Sequence, residues 1–244
     1  MHKIYITMLL LLLATPAFAA GTFVKYAVGG EPFEGYYITS NENGPLILMI
    51  HDWDGLTDYE VKRAGMLADL GYNVFAVDLF GEGVRPTEIA DKKKLTGQLY
   101  SDRSRMRSLI DGALAKAVEL GGNKENCVVM GYCFGGAAVL EFARSGVELK
   151  GFVSFHGGLS TPEGQDYSKT KGNILVLHGS ADTAVTMEQF ASLAIELEKQ
   201  NIRHEMITYS GAPHAFTVFG SDRYREDADK KSWQRFVEYL NETL

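Results

Sequence analysis

The sequence predicts an α/β domain built on a mostly parallel central sheet with helices on both faces. Three observations predict it. Short apolar runs with no polar alternation, at residues 46–50, 127–130 and 174–177, are what strands covered on both faces require. Segments of 3.6-residue apolar periodicity fall between such runs, so strands and helices alternate along the chain. The length of 244 residues, with 45% hydrophobic and 23% charged side chains, fits one globular domain and excludes a disordered, collagen-like or disulfide-stapled chain.

Residues 1–19 stand apart from that pattern. Lys3 supplies a positive start, residues 4–14 are almost unbrokenly apolar, and Pro16 ends the run. Ala17-Phe18-Ala19 forms a small-x-small cleavage site. The expectation is a signal peptide cut between Ala19 and Ala20, leaving residues 20–244 as a single exported domain, periplasmic or secreted. The rival is an uncleaved anchor, because no charge lies between Lys3 and Lys25. The apolar core is short for ~30 Å of hydrocarbon, so no stable membrane insertion is expected after cleavage.

Taken in order, residues 22–28 and 36–39 are two opening strands, joined as a hairpin around Gly29-Gly30. Residues 46–50 follow as a buried strand. Residues 58–70 form a helix that Gly71 ends, and 74–79 are the next buried strand. Residues 86–120 are helical, polar at first and then amphipathic, with Leu109, Ala113, Leu114, Ala117 and Val118 on one face. Strand 127–130 runs through a glycine-rich turn into helix 136–144, and strands 151–155 and 174–177 come next. Helix 187–199 groups Met187, Phe190, Ala194 and Leu197, and strand 205–209 follows. The last helix groups Trp233, Phe236, Val237 and Leu240.

The net charge of −7 and the lack of an extended basic stripe argue against nucleic acid as a partner. Lys92-Lys93-Lys94 is most simply a solvated helix face. Cys127 and Cys133 flank a predicted strand; six residues of strand span ~20 Å, whereas bridged Cα atoms lie within roughly 7 Å. A free thiol in an exported protein needs a reason.

The reason offered by the sequence is chemical. Gly131-Tyr132-Cys133-Phe134-Gly135-Gly136 lies between a strand and a helix, which is the G-x-S-x-G nucleophile elbow with cysteine in place of serine. A sharp strand-to-helix turn leaves no room for bulky neighbours, and the helix N-terminus favours thiolate. Alone the pattern is weak, since a buried cysteine in a tight turn gives it too. Asp182 follows strand 174–177, and His214 follows strand 205–209, each on a loop leaving a carboxyl strand end. That order, nucleophile, acid, histidine, is the order of α/β-hydrolases. Cys133 is therefore the candidate nucleophile, His214 the base and Asp182 its orienting acid. The backbone N–H groups of Phe134 and Trp53 are the candidate oxyanion donors.

On these residues the chain resembles the dienelactone hydrolase family of the α/β-hydrolase fold. The G-x-C-x-G-G elbow, His178-Gly179 before the acid and His214-Ala215-Phe216 around the base carry the resemblance. His51-Asp52-Trp53-Asp54-Gly55-Leu56 is similar to the family's H-E-x-x-G-L segment, and Phe155-His156-Gly157-Gly158 matches its secreted-type members. The resemblance spans roughly residues 36–240 and implies a cofactor-free hydrolase of small esters or lactones. It also implies that Asp52 stands where the family has an acid contacting the resting nucleophile. A carboxylate there would keep Cys133 protonated until substrate arrives, slowing its oxidation; a cap on the following helix is the plainer reading of Asp52. Family members acting on dienelactone hold its carboxylate with two arginines, where this chain has Glu82 and Val218. An anionic lactone is thus disfavoured, although Arg85 could reach inward from its loop.

His51, Tyr132 and His156 are candidates for the pocket wall, with satisfied packing residues as the competing reading. No H-E-x-x-H, His-x-His or Cys-x-x-Cys pattern suggests a metal site. The sequence thus points to a Cys-His-Asp hydrolase working through a thioester. Its rivals are a binding protein that keeps the fold without turnover and a peroxide-reactive thiol protein, the latter weakened by the distance to Cys127.

Overall fold

The computed structural model describes residues 21–42 and 44–244, so the expected signal peptide and its cleavage site lie outside the described residues. Strands β1 (Thr22–Val28) and β2 (Glu31–Ile38) form the opening hairpin. Gly29 and Gly30 both take positive φ, 60° and 85°, as a two-residue turn matched to strand twist requires. With so tight a turn, β2 starts at Glu31, five residues before the start expected from its apolar pattern.

β2 then pairs antiparallel with β4 (Asn73–Val77), which lies beside β3 (Pro45–Ile50). From β4 on, every pairing is parallel, through β5 (Asn123–Tyr132), β6 (Glu148–Phe155), β7 (Lys171–Gly179) and β8 (His204–Tyr209). The sheet order is β1-β2-β4-β3-β5-β6-β7-β8. The crossovers place the loops after β3, β4, β5, β6, β7 and β8 on one edge, where an open α/β sheet presents its ligand crevice.

The two faces have separate cores because side chains alternate along each strand. Leu46, Leu48 and Ile50 of β3 pack under α2 (Ile89–Ser101), α3 (Arg103–Glu119), α4 (Phe134–Arg144) and α5 (Met187–Lys199). Ile47 and Met49 pack under α1 (Asp58–Ala68) and α6 (Glu226–Thr243). α1 opens with a capping box in which Thr57 and Glu60 satisfy each other's backbone N–H groups. The cap on this helix is thus Thr57 and not Asp52.

Residues 86–120 are two helices, divided at Asp102, whose side chain accepts from Arg105 N at 2.9 Å and caps α3. Val118, expected on the buried face of α3, is exposed in its last turn, where the chain turns toward β5. α5 buries Leu193 and Leu197 and leaves Met187 exposed, so its inward face is rotated from the one expected. Both cysteines are free, Cys127 buried within β5 and Cys133 at its end.

Candidate active site

β5 delivers Cys133 to the crevice edge and α4 begins at the next residue. Cys133 is held at φ 51°, ψ −112°, a conformation disfavoured for any residue with a Cβ. Cys133 N donating to Phe155 O at 3.0 Å and Ala137 N donating to Cys133 O at 3.2 Å fix it there. The glycines of the motif are steric necessities. A Cβ on Gly131 would meet the backbone of Gly135 at 2.5 Å, and one on Gly135 would meet Ile50 O at 2.3 Å. The elbow therefore packs backbone to backbone against the end of β3.

The structure brings the three predicted residues together. His214 Nε2 lies 3.0 Å from Cys133 Sγ, and His214 Nδ1 lies 2.7 Å from Asp182 Oδ2. Asp182 is fixed in turn by Ala184 N and Val185 N, each donating to Oδ1 at 2.8 Å. Burial opposes the ionised form of Asp182, but these N–H groups and His214 outweigh it and hold its pKa below the ordinary value. Burial likewise opposes the charged imidazole of His214, and the bonds to Asp182 and Cys133 reverse that and raise its pKa. These contacts thus favour the protonated imidazole of His214.

Trp53 and Phe134 approach from the two sides expected of an oxyanion site: the loop after β3 and the first position of α4. No hydrogen bond among the described residues takes up the backbone N–H of either. Lys92 Nζ lies 5.3 Å from the Trp53 ring centroid and pairs with Asp54 at 2.5 Å. Lys92 is therefore folded onto the loop after β3, while its neighbours Lys93 and Lys94 form the solvated face.

Asp52 is buried beside this loop. Its Oδ1 accepts from Asp54 N at 2.7 Å, and its own N–H faces Glu60 Oε1 at 3.4 Å. Burial pushes Asp52 up to about 6, and burial plus the Asp52 charge pushes Glu60 up to about 8. His214 is close enough to pull Asp52 back down slightly, so Asp52 belongs to the same electrostatic neighbourhood.

The three candidate wall residues are all fully buried and do not line an open pocket. His51 bridges two strand ends, its Nδ1 donating to Asp52 O at 2.5 Å and its Nε2 accepting from Leu79 N at 3.1 Å. Tyr132 lies in the core between Tyr59 and Phe155, with ring centroids 5.0 Å from each. His156, at φ 39°, turns inward to place Nε2 2.8 Å from Thr217 Oγ1. Its ring stands edge-to-face on His214 at 5.5 Å, so it backs that imidazole from inside. Thr217 also meets Tyr59 OH at 2.7 Å, and Arg63 donates to Thr217 O at 2.8 Å while pairing with buried Asp229. This brace behind the histidine loop was not expected. Its sequence signal is only the position of Thr217, three residues after His214.

No arginine takes over the anchoring positions. Glu82 pairs with Lys25, Val218 is apolar, and the Arg85 guanidinium is spent on Leu56 O, Val84 O and Asp78.

The model of the dienelactone hydrolase family matches residues 33–244. The chain belongs to that family. A protein of Salmonella typhimurium named "Putative carboxymethylenebutenolidase" is 25% identical over 224 residues, covering 86% of this chain and 83% of that one. The solved structure named m3DLH superposes with a TM-score of 0.87 at 27% identity, covering 93% of this chain and all of that one (100%). A dienelactone hydrolase-like promiscuous phosphotriesterase from metagenomic libraries gives 0.86 at 26% identity, over 93% and 99% of the two chains. An acylaminoacyl peptidase of Pyrococcus horikoshii shares the fold at 15% identity, with a TM-score of 0.74 over 94% of this chain and 42% of its own. This dienelactone hydrolase family member is a carboxylic-ester hydrolase of the ester and lactone type. Among its described residues, no helix is long and apolar enough to cross a membrane.

Proposed function

We propose that Cys133, His214 and Asp182 act as a nucleophilic triad that cleaves small, neutral carboxylic esters or lactones through a thioester. The observation that carries this reading is the continuous bond sequence from Cys133 Sγ to His214 at 3.0 Å and from His214 to Asp182 at 2.7 Å. The thiolate attacks the acyl carbon while His214 holds the thiol proton. The carbonyl oxygen of the tetrahedral adduct receives the N–H groups of Phe134 and Trp53. Collapse breaks the C–O bond, and His214 gives its proton to the departing alkoxide. Water, deprotonated by His214, then attacks the thioester and returns Cys133 with its proton. In a lactone the alkoxide remains tethered to the acyl group, and the same steps open the ring.

The preference for neutral substrates rests on Glu82 and Val218, neither of which can hold a carboxylate, and on the prior engagement of Arg85. We also propose export, with cleavage between Ala19 and Ala20, on the charge, apolar run and small-x-small pattern of residues 1–19.

Intact-protein mass spectrometry after brief mixing with an activated acetyl ester tests the mechanism. The expected result is one acetyl adduct on the wild type, none on Cys133→Ala, and no enzyme-assisted turnover of the adduct in His214→Ala. An adduct of equal yield on Cys133→Ala would overturn it.

A further inference from the structure

Tyr100 stands over the elbow in the last turn of α2, with more than a third of its surface, 37%, exposed. It is nonetheless held firmly. Its ring meets Phe134, the residue after Cys133, edge-to-face at 5.4 Å. The Arg103 guanidinium lies 4.8 Å from the ring centroid, and Arg103 Nε donates to Tyr100 O at 2.9 Å. Arg103 is anchored on buried Glu141 at 3.2 Å, which Arg107 and Arg144 hold from other directions. A braced ring presents its hydroxyl in a fixed direction.

That hydroxyl has no hydrogen-bond partner among the described residues. It lies 3.9 Å from the point where a Cβ on Gly158 would sit, in the loop that leaves β6 beside the elbow. Burial, together with the nearby Cys133, raises the phenol's pKa, so it stays protonated and able to donate.

The two faces of the sheet give the hydroxyl its place in the reaction. Leu99 and Phe134, beside Tyr100, belong to the core under α2–α5, while Tyr132 and Phe216, which pack on His156 behind the base, belong to the core under α1 and α6. Tyr100 therefore approaches the elbow from the face of α2–α5, whereas the packing behind His214 belongs to the face of α1 and α6. His214 serves the departing oxygen, which leaves the acyl portion of the substrate to the Tyr100 side.

We propose that Tyr100 is a specificity-determining residue whose hydroxyl donates a hydrogen bond to an ether or hydroxyl oxygen close to the scissile carbonyl on the acyl group. The enzyme then prefers oxygen-bearing acyl groups over their hydrocarbon isosteres, an uncharged counterpart to the missing arginine anchors. This rests on the acyl-enzyme reading above.

Phenyl methoxyacetate and phenyl butyrate differ by an oxygen in place of one methylene, so the pair isolates this contact. The kcat/KM ratio of the two esters is measured for wild type and Tyr100→Phe, which keeps the ring contacts; comparing ratios cancels intrinsic reactivity. The expected result is a ratio about five- to tenfold lower in Tyr100→Phe, through loss on the methoxyacetate alone. An unchanged ratio overturns the proposal, whether or not both rates fall together. Failure of the wild type to hydrolyse the methoxyacetate does the same. Cys133→Ala, assayed alongside, reads the nucleophile separately: turnover there overturns the thioester mechanism, while the Tyr100 ratio still decides acyl selection.

Discussion

Asp182 grips His214 with one carboxylate oxygen and its own loop with the other. Oδ2 accepts from His214 Nδ1 at 2.7 Å, and Oδ1 accepts from Ala184 N and Val185 N at 2.8 Å each. Asp182→Asn must keep its oxygen on the two amides, which turns its NH₂ toward His214. The imidazole then shifts its proton to Nε2, where it faces Cys133 and can no longer take the thiol proton. Acylation by an aryl ester should fall by about 10²-fold, within the range general base catalysis contributes, with little change in thermal midpoint. Stopped-flow release of the aryl alcohol checks this.

Gly135→Ala addresses the elbow. Its new Cβ would overlap Ile50 O at 2.3 Å and His51 O at 2.5 Å, both backbone atoms that cannot swing aside. The loop from His51 to Gly55 must move, carrying the Trp53 N–H with it. We expect a loss of about 1–3 kcal/mol in stability from the overpacking. A tenfold or greater fall in kcat should accompany it, since a displaced oxyanion donor costs about 10²-fold in known cases. Urea denaturation and steady-state kinetics on the same variant separate the two effects.

Asp52, pushed up to about 6 by burial, is neutral below that pH and anionic above it. An anionic carboxylate beside a thiol opposes thiolate formation, which is the role proposed for Asp52. Asp52→Asn should therefore be alkylated by iodoacetamide several-fold faster than wild type at pH 7.5. The two rates should converge near pH 5, where the wild-type carboxyl is already protonated. Equal rates at both pH values would remove Asp52 from control of the thiol.

The meeting of Cys133, Asp182 and His214 was legible because each sits in a local pattern: small residues around Cys133 between a buried strand and a helix, and polar loops after two later strands for Asp182 and His214. The sheet was legible for a similar reason, as strands buried on both faces carry unbroken apolar runs. What could not be read depends on contacts between distant segments. His156 faces inward because Thr217 and His214, some 60 residues later, offer it a bond and a ring face. Tyr100 lay within what looked like one long helix, and only Asp102 capping α3 places it at an end overlooking Phe134. On α5, Met187 and Leu193 both satisfy the helical period with Phe190 and Leu197, so periodicity alone left the inward face undecided.

The brace behind the histidine loop makes an asymmetric prediction about stability. Arg63 and Asp229 form an ion pair between α1 and α6 with side chains only 1% and 7% exposed. Removing either partner leaves a buried charge, but the two charges differ in what they can do next. An aspartate can neutralise itself by taking a proton, whereas a guanidinium cannot lose one. Asp229→Ala should therefore cost about 3–5 kcal/mol, and the deficit should not depend on pH between 5 and 8. In Arg63→Met the buried Asp229 carboxylate loses its cation and keeps the bond from Tyr224 OH at 3.2 Å, so taking up a proton relieves the uncompensated charge. A carboxyl with a raised folded-state pKa contributes stability below its unfolded value that is lost as pH rises through the folded one. The Arg63→Met deficit should accordingly shrink as the pH is lowered from 7.5 to 5. Urea unfolding of both variants at the two pH values reads this directly, and a deficit for Asp229→Ala that shrinks in parallel would assign the cost to packing instead of charge.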